Sequence, residues 1–139
     1  MIELPQSVHD LLAKGPLGHL VTLNPDGSPQ ASLVWFGIRD GEFVMASLGA
    51  RRKLDNVVRD PRVVITFESD VTNEMGLREY LVVHGTARLT EGGGPALLQE
   101  LAYTYVGPGV VFPPMPNPPE GVIMHVAPER LGGVGPWAG

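Results

Sequence analysis

Apolar positions along this chain keep a period of 3.6 only briefly. Between Leu4 and Lys14, Val8, Leu11 and Leu12 share one helical face, and Gly15-Pro16 ends the pattern. The period then changes to two. LGHLVTLN (17–24) reads as a strand, and Asn24-Pro25-Asp26-Gly27 reads as a turn, with Pro setting an early φ and Gly accepting a late positive one. QASLVWFGI (30–38) is the next strand, Asp40-Gly41 marks a hairpin, and EFVMASL (42–48) follows. The first half is thus expected to be a three-stranded antiparallel meander.

A short helix comes next, with Leu54, Val57 and Val58 as its buried stripe, and Asp60-Pro61 stops it. RVVITFES (62–69) is a fourth strand, 70–77 a loop, and REYLVVHGTARLT (78–90) a long fifth strand. In the fifth, Leu81, Val83, Gly85, Ala87 and Leu89 alternate with Val82, His84, Thr86 and Arg88. Beyond Gly92-Gly93-Gly94, residues 96–106 show a helical apolar face of Leu97, Leu98, Leu101 and Tyr105. Residues 107–119 hold six of the fourteen prolines and must be extended and irregular. GVIMHVAPERLGGV (121–134) is the sixth strand. Six strands joined mainly by hairpins predict a mainly β fold, a small antiparallel barrel with short peripheral helices, in one domain over 1–139.

Composition narrows the function. A net charge of −5 argues against general nucleic-acid binding, which needs a basic surface. No apolar run is long enough for a membrane span, and the N-terminus lacks a signal-peptide h-region. Cysteine is absent, which removes disulfides and thiolate chemistry and is compatible with the cytoplasm. The four histidines show no metal-ligand spacing, so no metal is expected. Ser28, Ser32 and Ser47 sit in no nucleophile elbow, and no catalytic acid or base can be named.

The cations are uneven. Arg51, Arg52, Lys53, Arg59 and Arg62 are half of the ten Lys and Arg residues and fall within twelve positions. Three of them stand where a strand ends and a helix begins. There the helix dipole already presents positive charge. Such a run is commonly a solvated helix face. A phosphate, however, would reconcile it: helix N–H groups, two guanidinium forks and an ammonium all favour one. The phosphate loops of nucleotide-binding folds are missing. Trp35-Phe36 puts large apolar groups on both faces of one strand. That suits either a doubly covered strand or a wall for a flat ligand.

In order, the chain carries Gly27, Pro29, Ser32, Val34, Trp35 and Phe36, then Asp40, Gly41 and Ser47, then Arg51, Lys53 and Asn56, and then Arg59-Asp60-Pro61-Arg62-Val63. This resembles the split β-barrel superfamily of pyridoxamine 5′-phosphate oxidase and flavin reductases. Within it the chain is most similar to the deazaflavin branch, which uses coenzyme F420. The resemblance implies an FMN-binding-type split barrel and a homodimer with cofactor sites in the interface. It also implies an oxidoreductase moving hydride to a planar, conjugated small molecule. Carried over by position, Arg51 and Lys53 hold the cofactor phosphate, with Arg52 beside them. Ser32, Leu33 and Val34, with Met45 and Ala46, line the ring, and Asn56 is a further candidate. The vitamin oxidases have an arginine where Ser32 stands, so their own activity is not expected here.

Three alternatives stand beside this reading. FMN carries the same phosphate-bearing arm and is the alternative cofactor. A non-catalytic flavin or deazaflavin carrier needs no acid or base. A barrel with a merely solvated cation patch binds neither.

Overall fold

The computed structural model describes residues 1–49 and 51–138. Ala50, in the strand-to-helix junction, and Gly139 lie outside the described residues. The order is α1 (Gln6–Ala13), β1 (Gly18–Leu23), β2 (Pro29–Val34), β3 (Gly37–Arg39), β4 (Glu42–Ser47), α2 (Arg52–Arg59), β5 (Arg62–Thr72), β6 (Arg78–Glu91), α3 (Gly94–Tyr105) and β7 (Val122–Val134). The seven strands form one antiparallel sheet in the order β2-β1-β5-β6-β7-β4-β3.

The expected count of six strands is corrected to seven. The single strand read over 30–38 is two, β2 and β3, and they lie at opposite edges of the sheet. The three-stranded meander is therefore two separate hairpins, β1–β2 and β3–β4. The break falls at Trp35-Phe36. The Phe36 N–H donates to the Tyr105 hydroxyl (3.0 Å) instead of to a strand. The geometric consequence is large. Three peptide links from Val34 to Gly37 span at most about 11 Å, so the sheet must curl until its edges approach. No ladder joins β2 to β3 among the described residues, and the curl is not closed by hydrogen bonds.

Alternation explains which face is filled. Leu20, Ile65, Phe67, Leu81, Val83 and Val126 are fully buried inside the curl, joined by Phe36 and Phe43. Helix α1 adds Val8, Leu11 and Leu12 to the same core. Strand β4 is buried on both faces. Phe43 and Met45 point inward, while Val44 packs outward with Leu97 and Leu101 of α3 and Ile123 of β7. Trp35 joins this outer cluster and Phe36 the inner one, as opposite-facing neighbours must.

Two other expectations shift. The loop at 70–77 is shorter, because β5 runs to Thr72 and Asn73 Oδ1 accepts from the amides of Met75 and Leu77 (both 3.0 Å). On α2, Leu54 and Val57 are buried, but Val58 is 75% exposed and Asn56 only 1%. Asn56 turns inward because it has partners there. Its Nδ2 donates to Thr22 Oγ1 (2.9 Å) and Asn24 Oδ1 (3.1 Å), and its Oδ1 accepts from Arg59 (3.1 Å). This ties α2 to β1. Asn56→Ala is expected to cost about 2 kcal/mol, because it strands a buried hydroxyl and opens a small void. Urea unfolding of the variant against the parent reads this directly.

No helix among the described residues is long and apolar enough to cross a membrane.

Candidate functional site

The curl leaves a gap between two strand edges. Strand β2 has no partner on its outer side among the described residues. Strand β3 covers β4 only as far as Val44, since Gly37 pairs with Val44 and the ladder stops there. Met45 and Ala46 therefore have a free backbone edge on that side. Between these edges lies an apolar cavity of about 230 Å³, lined by Leu17, Leu33, Val34, Trp35, Ala46, Leu98 and Phe112. Three residues expected from sequence, Leu33, Val34 and Ala46, meet in it. Free strand edges also offer backbone N–H and C=O groups to a ligand.

The other expected residues are placed differently. The Met45 side chain is fully buried in the main core, so only its backbone is available to a ligand. The Ser32 hydroxyl oxygen is buried with no hydrogen-bond partner among the described residues, and Ser32 pairs in register with Leu20. Asn56 is committed to the network under α2 described above.

The cations begin five residues after Ala46. Arg51 is the N-cap of α2 with helical backbone angles, and no side chain caps the helix start. Among the described residues no side chain therefore competes for the first-turn N–H groups. Among the described residues Arg51 makes only an exposed pair with Asp55 at 3.4 Å, worth little in water. Arg52 has no hydrogen-bonded partner among the described residues. It does lie near the β1–β2 turn. The Asp26 carboxyl there is held below its usual range mainly by the Ser28 hydroxyl and amide, with a smaller contribution from Arg52. Lys53 is half-buried, and burial pushes its ammonium pKa down. No hydrogen bond or ion pair engages that ammonium among the described residues. A half-desolvated cation without a counter-charge is unfavourable unless an anion completes it.

Sequence reasoning named Trp35 as a possible wall but missed Leu17, Leu98 and Phe112. Their register signals were ordinary, and Phe112 sits in an irregular segment. A larger cavity, about 470 Å³, lies elsewhere, over Val21, Leu23, Val64, His84, Thr86 and Arg130 on the outer sheet face. It holds none of the expected residues. Two of its polar side chains are already engaged, Thr86 with Glu129 (2.8 Å) and Arg62 with Asp60 (2.7 Å). No group of three or more His, Asp or Glu among the described residues could hold a metal ion.

Comparison with known proteins agrees with this architecture. The sequence profile of the pyridoxamine 5′-phosphate oxidase family matches residues 4–134. No curated protein matches the chain. Among solved structures, an F420 reductase is 27% identical, with a TM-score of 0.72, over 93% of this chain and 98% of its own. A conserved hypothetical protein from Mycobacterium tuberculosis is 22% identical, with a TM-score of 0.71, over 96% of this chain and 85% of its own. The heme storage protein HutZ from Vibrio cholerae is 18% identical, with a TM-score of 0.65, over 95% of each chain. The last two share the fold alone. With the profile spanning nearly every strand, the curled sheet and its split edge are those of a known group, and this chain belongs to the pyridoxamine 5′-phosphate oxidase-like split-barrel superfamily.

Proposed function

We propose that the chain is a deazaflavin-dependent oxidoreductase. In this reading one domain over 1–139 binds coenzyme F420 and passes hydride to a planar, conjugated small molecule. The observation that carries it is Lys53, a half-buried ammonium without an anionic partner among the described residues, at a helix start that no side chain caps. The similarity to an F420 reductase favours the deazaflavin over FMN.

The residues present fit a phosphate-bearing flat ring. Arg51 and Lys53 would hold the phosphate with the first-turn N–H groups of α2, and Arg52 would add field from the side. Leu33, Val34 and Ala46 would press on the ring through side chains, and Ser32 and Met45 through backbone edges. Asn56 would act by fixing α2 against β1. When bound, the reduced cofactor supplies the hydride. The chain supplies position and a dry, apolar surround. A homodimer is part of this reading. The apolar floor of Val21, Leu23 and Val64 on the outer sheet face favours a second copy there.

Titration of the protein with oxidised deazaflavin and with FMN, followed by fluorescence, tests the reading. Saturable deazaflavin binding at least tenfold tighter than FMN is expected, as is oxidation of the reduced form by a quinone. Tighter FMN binding would move the chain to the flavin branch. Binding without oxidation would make it a carrier. If neither cofactor binds, the proposal fails.

A further inference from the structure

The proline-rich segment 107–119 forms no strand or helix, yet two residues of it, Val110 and Phe112, are held firmly. The Gln99 side chain on α3 pairs with the segment backbone as a strand would. Its Nε2 donates to the Val110 carbonyl (2.8 Å), and its Oε1 accepts from the Phe112 amide (2.9 Å). This fixes the Phe112 ring against Trp35, with centroids 5.1 Å apart and planes at 53°. Trp35 also stacks on Tyr105, with centroids 5.4 Å apart and planes at 12°. Tyr105 is anchored in turn. Its hydroxyl donates to the Pro16 carbonyl (2.7 Å) and accepts from the Phe36 amide (3.0 Å). Burial pushes its pKa up, so it stays a neutral donor. A row of three rings, Tyr105, Trp35 and Phe112, thus runs from the seam of the sheet to the apolar cavity. Trp35 and Phe112 line this cavity together with Leu17 and Leu98, and Leu33, Val34 and Ala46 line the rest of it.

We infer that Phe112 is the specificity-determining wall of this cavity and that Gln99 is its positioning residue. Together they restrict the part of the cavity beside Leu33, Val34 and Ala46, the residues proposed to touch the cofactor ring, to flat, conjugated, uncharged molecules. The inference deepens the proposed function and rests on that reading only in calling the occupant a hydride acceptor. Its physical basis is local. Every cavity-lining side chain is apolar, so a charged occupant would find no charged or polar side chain to replace the water it lost. Rings at an angle to one another reward a planar partner by stacking and edge contact. A saturated, thicker molecule gains only area.

The test uses menadione as a flat probe and decalone as a saturated bicyclic competitor. The chain has two tryptophans, and only Trp35 lies at this cavity. Saturable quenching by menadione, lost in Trp35→Phe, assigns the signal. Decalone should fail to displace menadione from the parent protein. Phe112→Ala should weaken menadione about tenfold and admit decalone. Gln99→Ala should do the same with the ring still present. Gln99→Glu, which keeps the acceptor for the Phe112 amide but not the donor to Val110, should fall between. A variant that is only less stable would lose amplitude and keep the flat-to-bulky ratio. Absence of saturable quenching, equal displacement by decalone in the parent, or an unchanged ratio in Phe112→Ala or Gln99→Ala overturns the inference. Deazaflavin titration of the same variants separates the two claims. Cofactor binding with unchanged selectivity removes the Phe112 assignment alone. Selective quenching without cofactor binding removes the cofactor reading alone.

Discussion

Replacing Arg51 and Lys53 together by alanine is expected to weaken deazaflavin binding on the order of a hundredfold, while the fold becomes no less stable. Each side chain would contribute a charge-assisted hydrogen bond, and losing two at a part-exposed site removes about 3 kcal/mol. The stability effect has the opposite sign. Both cations stand at the positive end of α2, where each costs a few tenths of a kcal/mol, and among the described residues the only pair lost is the exposed Arg51–Asp55 contact. Thermal unfolding and fluorescence titration of one preparation measure both signs. Lys14→Ala, which removes an exposed pair with Asp70 far along the chain, is the control and should leave binding unchanged. Binding indifferent to the double variant would return the cluster to a solvated helix face. The pattern has a general form: residues that break a local rule lower stability where they stand and are kept for a ligand.

Gly133→Ala should be the most damaging single methyl group in the protein. Gly133 has φ of +100°, a conformation that side-chain-bearing residues rarely adopt. A Cβ there would lie 2.2 Å from the Tyr80 carbonyl oxygen, and a backbone atom cannot simply swing aside. That same carbonyl accepts the hydrogen bond of Trp137 Nε1 (2.9 Å). Displacing it would loosen Trp137, which closes the main core from the C-terminal side. Strain and the lost contact together should cost about 3 kcal/mol or more. For a chain of this size that lowers Tm on the order of 10 °C. Differential scanning calorimetry reads it. A shift within a degree or two of the parent would show that β6 and β7 separate there without penalty.

Much of the fold was legible because periodicity is a burial signal. Strand β6 alternates along its whole length, and Leu81, Val83 and Ala87 fall inside as the pattern requires. Asp40-Gly41 turns the β3–β4 hairpin with positive φ at both residues. The break at Trp35-Phe36 was not legible. No Gly or Pro stands between Val34 and Phe36, both neighbours are apolar, and the interruption comes from a hydroxyl supplied by Tyr105, nearly seventy residues away. The inward turn of Asn56 was hidden for the same reason, since its partners Thr22 and Asn24 belong to another element. The cation cluster was legible because charge at the wrong helix end is a local contradiction. Half of the cavity was not, because Phe112 reaches it through the side chain of Gln99.

The segment that carries Phe112 belongs to no ladder and is tied down by one amide and one ring. Lengthening such a stretch costs little, about 0.6 kcal/mol for a doubling of a flexible loop. The strand edges and α2 have no such latitude, since a one-residue slip in β4 would exchange core and outer residues. Selection can therefore rewrite the acceptor side of the cavity by drift in thirteen residues without retuning the side proposed to hold the cofactor. The two halves of the proposed chemistry are free to diverge at different rates.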